Sequence, residues 1–314
     1  MILWGTRHCF GNLWFLLRKT MASNSLEGRK LWEAAAGGDF ETVRTLCENE
    51  SVDVNWQDEL KGRTPLLRAC GFGHLAIVKY LLNHPRIDVG LTTESGATPF
   101  LIACQQGHVD LVTLLLDDQR VDVECMAQDD TSPLWFASQN GHLGVVRHLL
   151  ASGKEIKVST RSAYARRTPA EQCRWAALQP IGANILGDDP IRRATNNPVI
   201  ADLLDLYDLD PPGVTQALRR HPDISASFAA RAFALVVFYT DSFIAPGPNV
   251  SRQTKRFFEV CSRLPLELQM VICNRLFGSP LTSVLSKDSE PAFMWLARPR
   301  TWLEFSPSEV TLKS

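Results

Sequence analysis

One spacing constrains this chain more than any other feature. Thr64-Pro65-Leu66 is followed by Gly73-His74, Thr98-Pro99-Phe100 by Gly107-His108, and Ser132-Pro133-Leu134 by Gly141-His142. The prolines (65, 99, 133) and the glycines (73, 107, 141) advance by the same 34 residues. A fixed period of about 20–50 residues marks a stacked array, because a unit that small cannot bury its apolar face without a neighbour.

The chemistry inside one unit follows from its residue types. Thr64, Thr98 and Ser132 can cap a helix N-terminus. The proline after each suits the first helical position, where its missing N–H costs nothing. Glycine then ends the short helix, since it tolerates positive φ. A second apolar run follows at spacings of three and four: Leu75, Ile77, Val78, Leu81 and Leu82, with equivalents from Val109 and from Leu143. Such spacing predicts a second helix with one broad buried face. Ala69-Cys70, Ala103-Cys104 and Ala137-Ser138 recur on the first helix, where small side chains let neighbouring helices approach closely. Extended connectors such as Ile87-Asp88-Val89 lead to the next unit.

Before and after this core the pattern weakens. Gly28 to Asn55 reads as a first repeat without the Thr-Pro mark, as a terminal repeat with one neighbour should. Thr168-Pro169 opens a fifth first-helix, but no Gly-His follows. The breakers between Trp175 and Asn197 predict an inserted loop, after which Ile200, Leu203, Leu204 and Tyr207 supply a second-helix face. The expected organisation is an N-terminal extension over 1–27, disordered or untranslated, with Met21 as an ordinary start and a transit segment as the alternative. Four repeats span 28–160, and a degenerate fifth repeat with an inserted loop spans 161–210. A C-terminal helical domain over 211–303 and a disordered tail over 304–314 complete the chain.

Net charge is −1 without a long run of one sign, which argues against nucleic acid as a partner. Eight scattered cysteines, with no Cys-x-x-Cys, point to free thiols in a reducing compartment, hence the cytoplasm, with the nucleus as a second site. No apolar stretch reaches the roughly 20 residues of a membrane span, the densest run being Ala232 to Tyr239, so no membrane partner is expected.

With these marks, residues 29 to about 208 resemble the ankyrin repeat family. The family usually has histidine after Thr-Pro-Leu; here the residues are Leu67, Leu101 and Trp135. The resemblance implies an all-α fold: an ankyrin-repeat solenoid of stacked helix-turn-helix units with projecting turns, followed by a smaller C-terminal helical domain. It also implies a non-catalytic interaction module that binds a protein through its turn tips and concave helix face. Matching positions nominate Trp56, Glu59, Lys61 and Arg63, then Thr92 and Glu94, then Met126 and Gln128 on the turns. On the first helices they nominate Phe72, Gln105, Gln106, Gln139 and Asn140. Trp56 and Phe72 could equally pack on the adjacent turn.

His74, His108 and His142 invite a metal or catalytic reading, but equivalent residues stand about one helix spacing, roughly 10 Å, apart. That is too far for one zinc, so each ring is expected to bridge backbone groups of neighbouring units. No nucleophile–base pair, phosphate-cradling loop or cofactor motif is present, and neither an enzyme nor a cofactor or metal is expected. A second stretch, Leu264-Pro265-Leu266-Glu267-Leu268 with Val271, Ile272 and Leu276, looks like the opening of an F-box. That likeness would imply a substrate adaptor docking through Leu264, Pro265, Leu268 and Ile272 on the linker subunit of a cullin-type ubiquitin ligase. The same residues also read as a structural helix. Residues 168 to 297 further resemble the C-terminal half of fungal ankyrin proteins, which implies no defined activity.

Overall fold

The computed structural model describes residues 26–178, 190–241, 252–277 and 292. The expectations for the chain before residue 26 and for the tail over 304–314 lie outside these residues, as does all but Ala292 of the expected C-terminal domain beyond residue 277.

Helices alternate between an inner and an outer row. The inner row is α1 (residues 26–37), α3 (Pro65–Phe72), α5 (Pro99–Gln106), α7 (Pro133–Gln139) and α9 (Pro169–Ala177). The outer row begins with α2 (Phe40–Glu48), α4 (Leu75–Leu82), α6 (Val109–Leu116) and α8 (Leu143–Ala151). The caps are those the sequence suggested. Thr64, Thr98 and Ser132 accept hydrogen bonds from the backbone N–H of Leu67, Leu101 and Trp135 at 3.1–3.2 Å, each worth about 1 kcal/mol. Thr168 and Glu171 form a reciprocal capping box at the head of α9. α1 is already helical at residue 26, two residues before the expected boundary of the first repeat.

From α3 onward each inner helix packs on the next inner helix, and from α2 onward each outer helix on the next outer one. Ala69, Cys70, Ala103, Cys104, Ala137 and Ser138 have no exposed surface, which is why nothing larger recurs there. Leu67, Leu101 and Trp135 are also buried, so the positions that usually carry histidine here add apolar burial.

Neighbouring units are stitched by the Gly-His pairs. His74, His108 and His142 direct Nε2 to the carbonyls of Ala36, Gly71 and Gln105, at 3.0, 3.4 and 2.9 Å, each one repeat upstream. A carbonyl can only accept, so Nε2 carries the proton in each ring. Gly38 and Gly73 sit at φ +79° beneath the rings of His74 and His108, and an added Cβ would lie 2.8 Å from each ring. The glycine therefore ends its own helix and makes room for the next unit's histidine.

The fifth unit replaces this stitch. α10 (Pro190–Leu209) is 20 residues long with Pro198 inside it. Its buried residues Ile200, Ala201 and Leu204 follow Asn197 as Ile77, Val78 and Leu81 follow His74. Asn197 thus stands in the histidine's register. Its Nδ2 donates to the Gln139 carbonyl (3.2 Å), the equivalent of the carbonyls bound by the histidines. The loop expected from Trp175 to Asn197 is correspondingly shorter: α9 runs to Ala177 and α10 begins at Pro190. An interior proline costs about 3 kcal/mol. Tertiary contacts offset it, because Arg192 and Asn196 also donate, to the carbonyls of Asn140 and Gly141.

The boundary expected at 211 falls inside a continuous core. One apolar cluster runs from Leu31 through Leu218 and Ile224. α11 (Pro211–Arg219) closes the stack, with Thr215 and Arg219 donating to the carbonyls of Leu150 and Ala151 at the end of α8. α12 (Pro222–Thr240) leads out of that core into a second one, shared with α13 (Arg252–Cys261) and α14 (Leu266–Leu276). Asp117, after α6, and Arg231, on α12, pair at 2.6 Å and tie this unit back to the array. Contrary to the sequence expectation, α12 is long and apolar enough by composition to cross a membrane, at 19 residues and mean hydropathy 1.2, but half of it is packed inside the protein.

Candidate protein-binding surface

The segments between units fold as four hairpin turns. Within each, a backbone bond closes the base: Asp58 N–H to Arg63 O, Thr93 to Ala97, Ala127 to Thr131 and Ser162 to Arg167. Between them, the N–H groups of Glu94, Gln128 and Ala163 donate to the carbonyls of Lys61, Ser95 and Asp129 at 2.9–3.0 Å. The side chains of Gln57 and Gln128 add bonds to the carbonyls of Thr92 and Glu94 in the adjacent turns. The four turns therefore form one ladder, and their tips are fixed relative to each other.

This frame sorts the residues nominated from sequence. Glu59, Lys61, Thr92, Glu94, Gln106 and Gln128 are exposed, and so is Phe72 on the inner helix. Met126 and Gln139 are half-buried. Trp56 is half-buried too, edge-on to Trp32 with ring centres 6.5 Å apart and against Gly28, so it serves the packing of the first unit. Arg63 pairs with Asp58 at 3.1 Å. Burial opposes ionisation of Asp58, but the hydrogen bonds and charge of Arg63 outweigh it and hold that carboxyl below its ordinary pKa.

Two nominations need correction. Gln105 and Asn140 are buried, not open to a partner. Asn140 donates to the Gln105 carbonyl (2.8 Å) and accepts from Arg192, so the forward end of α10 covers this part of the inner face. For Asn140 the equivalence with exposed Phe72 and Gln106 fails because the fifth unit's outer helix is twice the usual length.

The sequence reading also missed residues. The fourth turn carries Tyr164, 85% exposed, and the first carries Leu60, 80% exposed. Gly62, Gly96, Asp130 and Arg166 all adopt positive φ at the tips (65°, 79°, 56° and 54°), so their register alone could have located the fourth turn. Three residues after each proline, Arg68, Ile102 and Phe136 form a half-buried row along the inner face. At its head the Arg68 guanidinium lies between the rings of Trp32 and Phe72.

The family model described as ankyrin repeats, in three copies, matches residues 15–93, 31–126 and 85–160. Over the matched residues the stack is an ankyrin-repeat array. Ankyrin repeats are generally protein–protein interaction modules, and proteins built of them are typically non-catalytic. The fifth repeat lies beyond the matched residues, in keeping with its missing Gly-His and its rebuilt stitch.

Reactive chemistry is not assembled among the described residues. No group of three or more His, Cys, Asp or Glu gathers where a metal ion could sit. Burial pushes the thiols of Cys47 and Cys125 up to about 11 and those of Cys173 and Cys273 up to about 12, which leaves them protonated and unreactive. An open pocket of about 400 Å³ beside Val158 and Tyr207 holds a Ser159–Asp208 hydrogen bond of 2.8 Å, but no base between the two to activate the serine.

Proposed function

We propose that the array binds a partner protein through its laddered turn tips and the inner-helix row, and performs no chemistry of its own. The observation that carries this reading is the placement of large apolar side chains in water on that side of a rigid frame: Leu60 and Tyr164 at the tips and Phe72 (53% exposed) on the inner row. At 80% and 85% exposed, Leu60 and Tyr164 add little to the packing of the array, and such anchors dominate binding energies at interfaces. The seven described cysteines, all free and buried, support a reducing compartment, so we place the protein in the cytoplasm, with the nucleus equally open to it. The test is the triple variant Leu60→Ser/Phe72→Ser/Tyr164→Ser, compared with wild type by cross-linking capture from cells. Its melt should be unchanged and the specific partners lost; partners retained at wild-type level would refute the reading.

A second reading, a ubiquitin-ligase adaptor, is favoured by the turn between α13 and α14. Leu266 and Leu268 are 52% and 48% exposed there, beside exposed Pro265. Leu264 and Ile272 are half-buried, and Cys273 anchors the helix in the second core. α14 thus keeps an apolar edge outward at the positions of the F-box resemblance. Full-length protein should recover the linker subunit and cullin, and Leu264→Ala/Pro265→Ala should not. No recovery by the wild type removes this reading.

A further inference from the structure

The inner-face row opens with an arginine that has no acid. The guanidinium carbon of Arg68 lies 4.4 Å from the centre of the Trp32 ring and 4.7 Å from that of Phe72. Its side chain makes no hydrogen bond or ion pair with the described residues, and its Nε is buried without an acceptor. The acids nearby in the fold are engaged. Asp58 pairs with Arg63, itself 5.3 Å from the Trp32 ring, and Glu33 pairs with Arg29 at 2.9 Å. Burial, then the charge of Arg63, lowers the pKa of Arg68, and Asp58 offsets part of this. The local balance is one uncompensated cation, held between two rings.

We propose that this guanidinium receives a carboxylate side chain, Asp or Glu, from the bound protein segment, with an apolar residue of that segment covering Phe72. This rests on the reading that the array binds proteins on this face. The two rings and the burial of Nε hold the guanidinium in place, so little side-chain freedom remains to be lost when its terminal N–H groups are bound. A planar fork of donors matches a carboxylate bidentately, and such charge-assisted pairs are about twice as strong as neutral hydrogen bonds. A backbone carbonyl would leave the charge uncompensated. Exposed Phe72 sits one helical turn from Arg68, so the apolar contact and the ion pair fall side by side.

The experiment selects short random peptides on the full-length protein, displayed through their C-termini so that only side chains can supply a carboxylate. Selected peptides are then synthesised with a fluorophore and titrated by anisotropy. The expected result is a recurring Asp or Glu next to an aliphatic or aromatic residue. Affinity should fall at least about tenfold with Arg68→Gln, and equally with acid-to-amide replacement in the peptide, which leaves the protein's fold untouched. The double replacement should cost no more than either alone. Peptides that bind without an acid, or whose acid is indifferent to Arg68→Gln, overturn this inference and leave the protein-binding reading standing. Binding that requires a free peptide C-terminus overturns it as well. No enrichment on the array, where a control domain enriches its own ligand, counts against both.

Discussion

His142 offers a sharp test of the stitching between repeats. The ring is 8% exposed and donates from Nε2 to the Gln105 carbonyl. Burial first, then the charge of Arg192, pushes its pKa from the ordinary 6.5 down to about 4, against the opposing hydrogen bond to Gln105. Between these values the unfolded chain binds a proton that the folded chain does not, so stability rises with pH across the window. It is complete above about pH 6.5 and falls as the pH drops towards 4. The loss reaches about 2 kcal/mol at pH 5 and about 3 kcal/mol at pH 4. In His142→Gln that titration is absent. The variant should be weaker at pH 7.5 by about 1–2 kcal/mol, for a hydrogen bond and some packing, with Asn140 still bound to the Gln105 carbonyl. The two urea-unfolding curves, followed by circular dichroism at fixed ionic strength, should therefore cross between about pH 5 and 6, the variant being the more stable below. His148, whose pKa burial also lowers, is common to both proteins and cancels in the difference. A constant gap from pH 7.5 to pH 5 would refute the argument, since it would mean that the ring protonates in place.

Three further outcomes follow from the packing. Ala103→Glu puts a carboxylate where no surface is exposed, on α5 between α3 and α7; it should cost more than about 4 kcal/mol and abolish the central repeats' cooperative melt. Arg166→Gly should raise stability by about 0.5–1 kcal/mol, because the residue sits at φ 54° where a side chain is strained, read as an increased urea midpoint. Asn197→Ala removes donors to the carbonyls of Gln139 and Cys173 and should cost about 2–3 kcal/mol, with faster amide exchange in α9 and α10 and little change in α3 or α4.

The repeated units were legible because each local signal serves the same geometry. A Thr or Ser cap, a proline at the first helical position and a glycine at the end specify a helix eight residues long, and the 34-residue step specifies its neighbour. Legibility failed where one unit departs from the rest. Asn140 looked open by equivalence with Phe72 and Gln106, and Gln105 by its place beside Gln106, but equivalence holds only if the next unit is also equivalent. The prolines and glycines around α10 suggested a loop, because local propensity cannot see the carbonyls of Asn140 and Gly141 waiting for Arg192 and Asn196. The Arg68 stack was hidden for a different reason. Trp32 and Arg68 lie one repeat apart, and nothing in either segment says that their side chains meet.

The fifth repeat shows which part of the repeat signature is physically required. The outer helix of a unit must satisfy one carbonyl at the end of the preceding inner helix, because that carbonyl is buried by the stacking itself. Histidine does this three times with a ring that reaches across its own glycine turn. When the turn is replaced by a longer insertion, Asn197 reaches the Gln139 carbonyl from within a helix and also takes the Cys173 carbonyl. The donor is retained while the glycine, the ring and the spacing are all exchanged. Arg192 arrives with this arrangement, and its charge is the second cause of the low pKa of His142 in the unit before. The irregular end of the stack thereby tunes the last regular stitch, and replacing Arg192 with Gln should move the crossing described above to lower pH by raising the pKa of His142 towards 6.5.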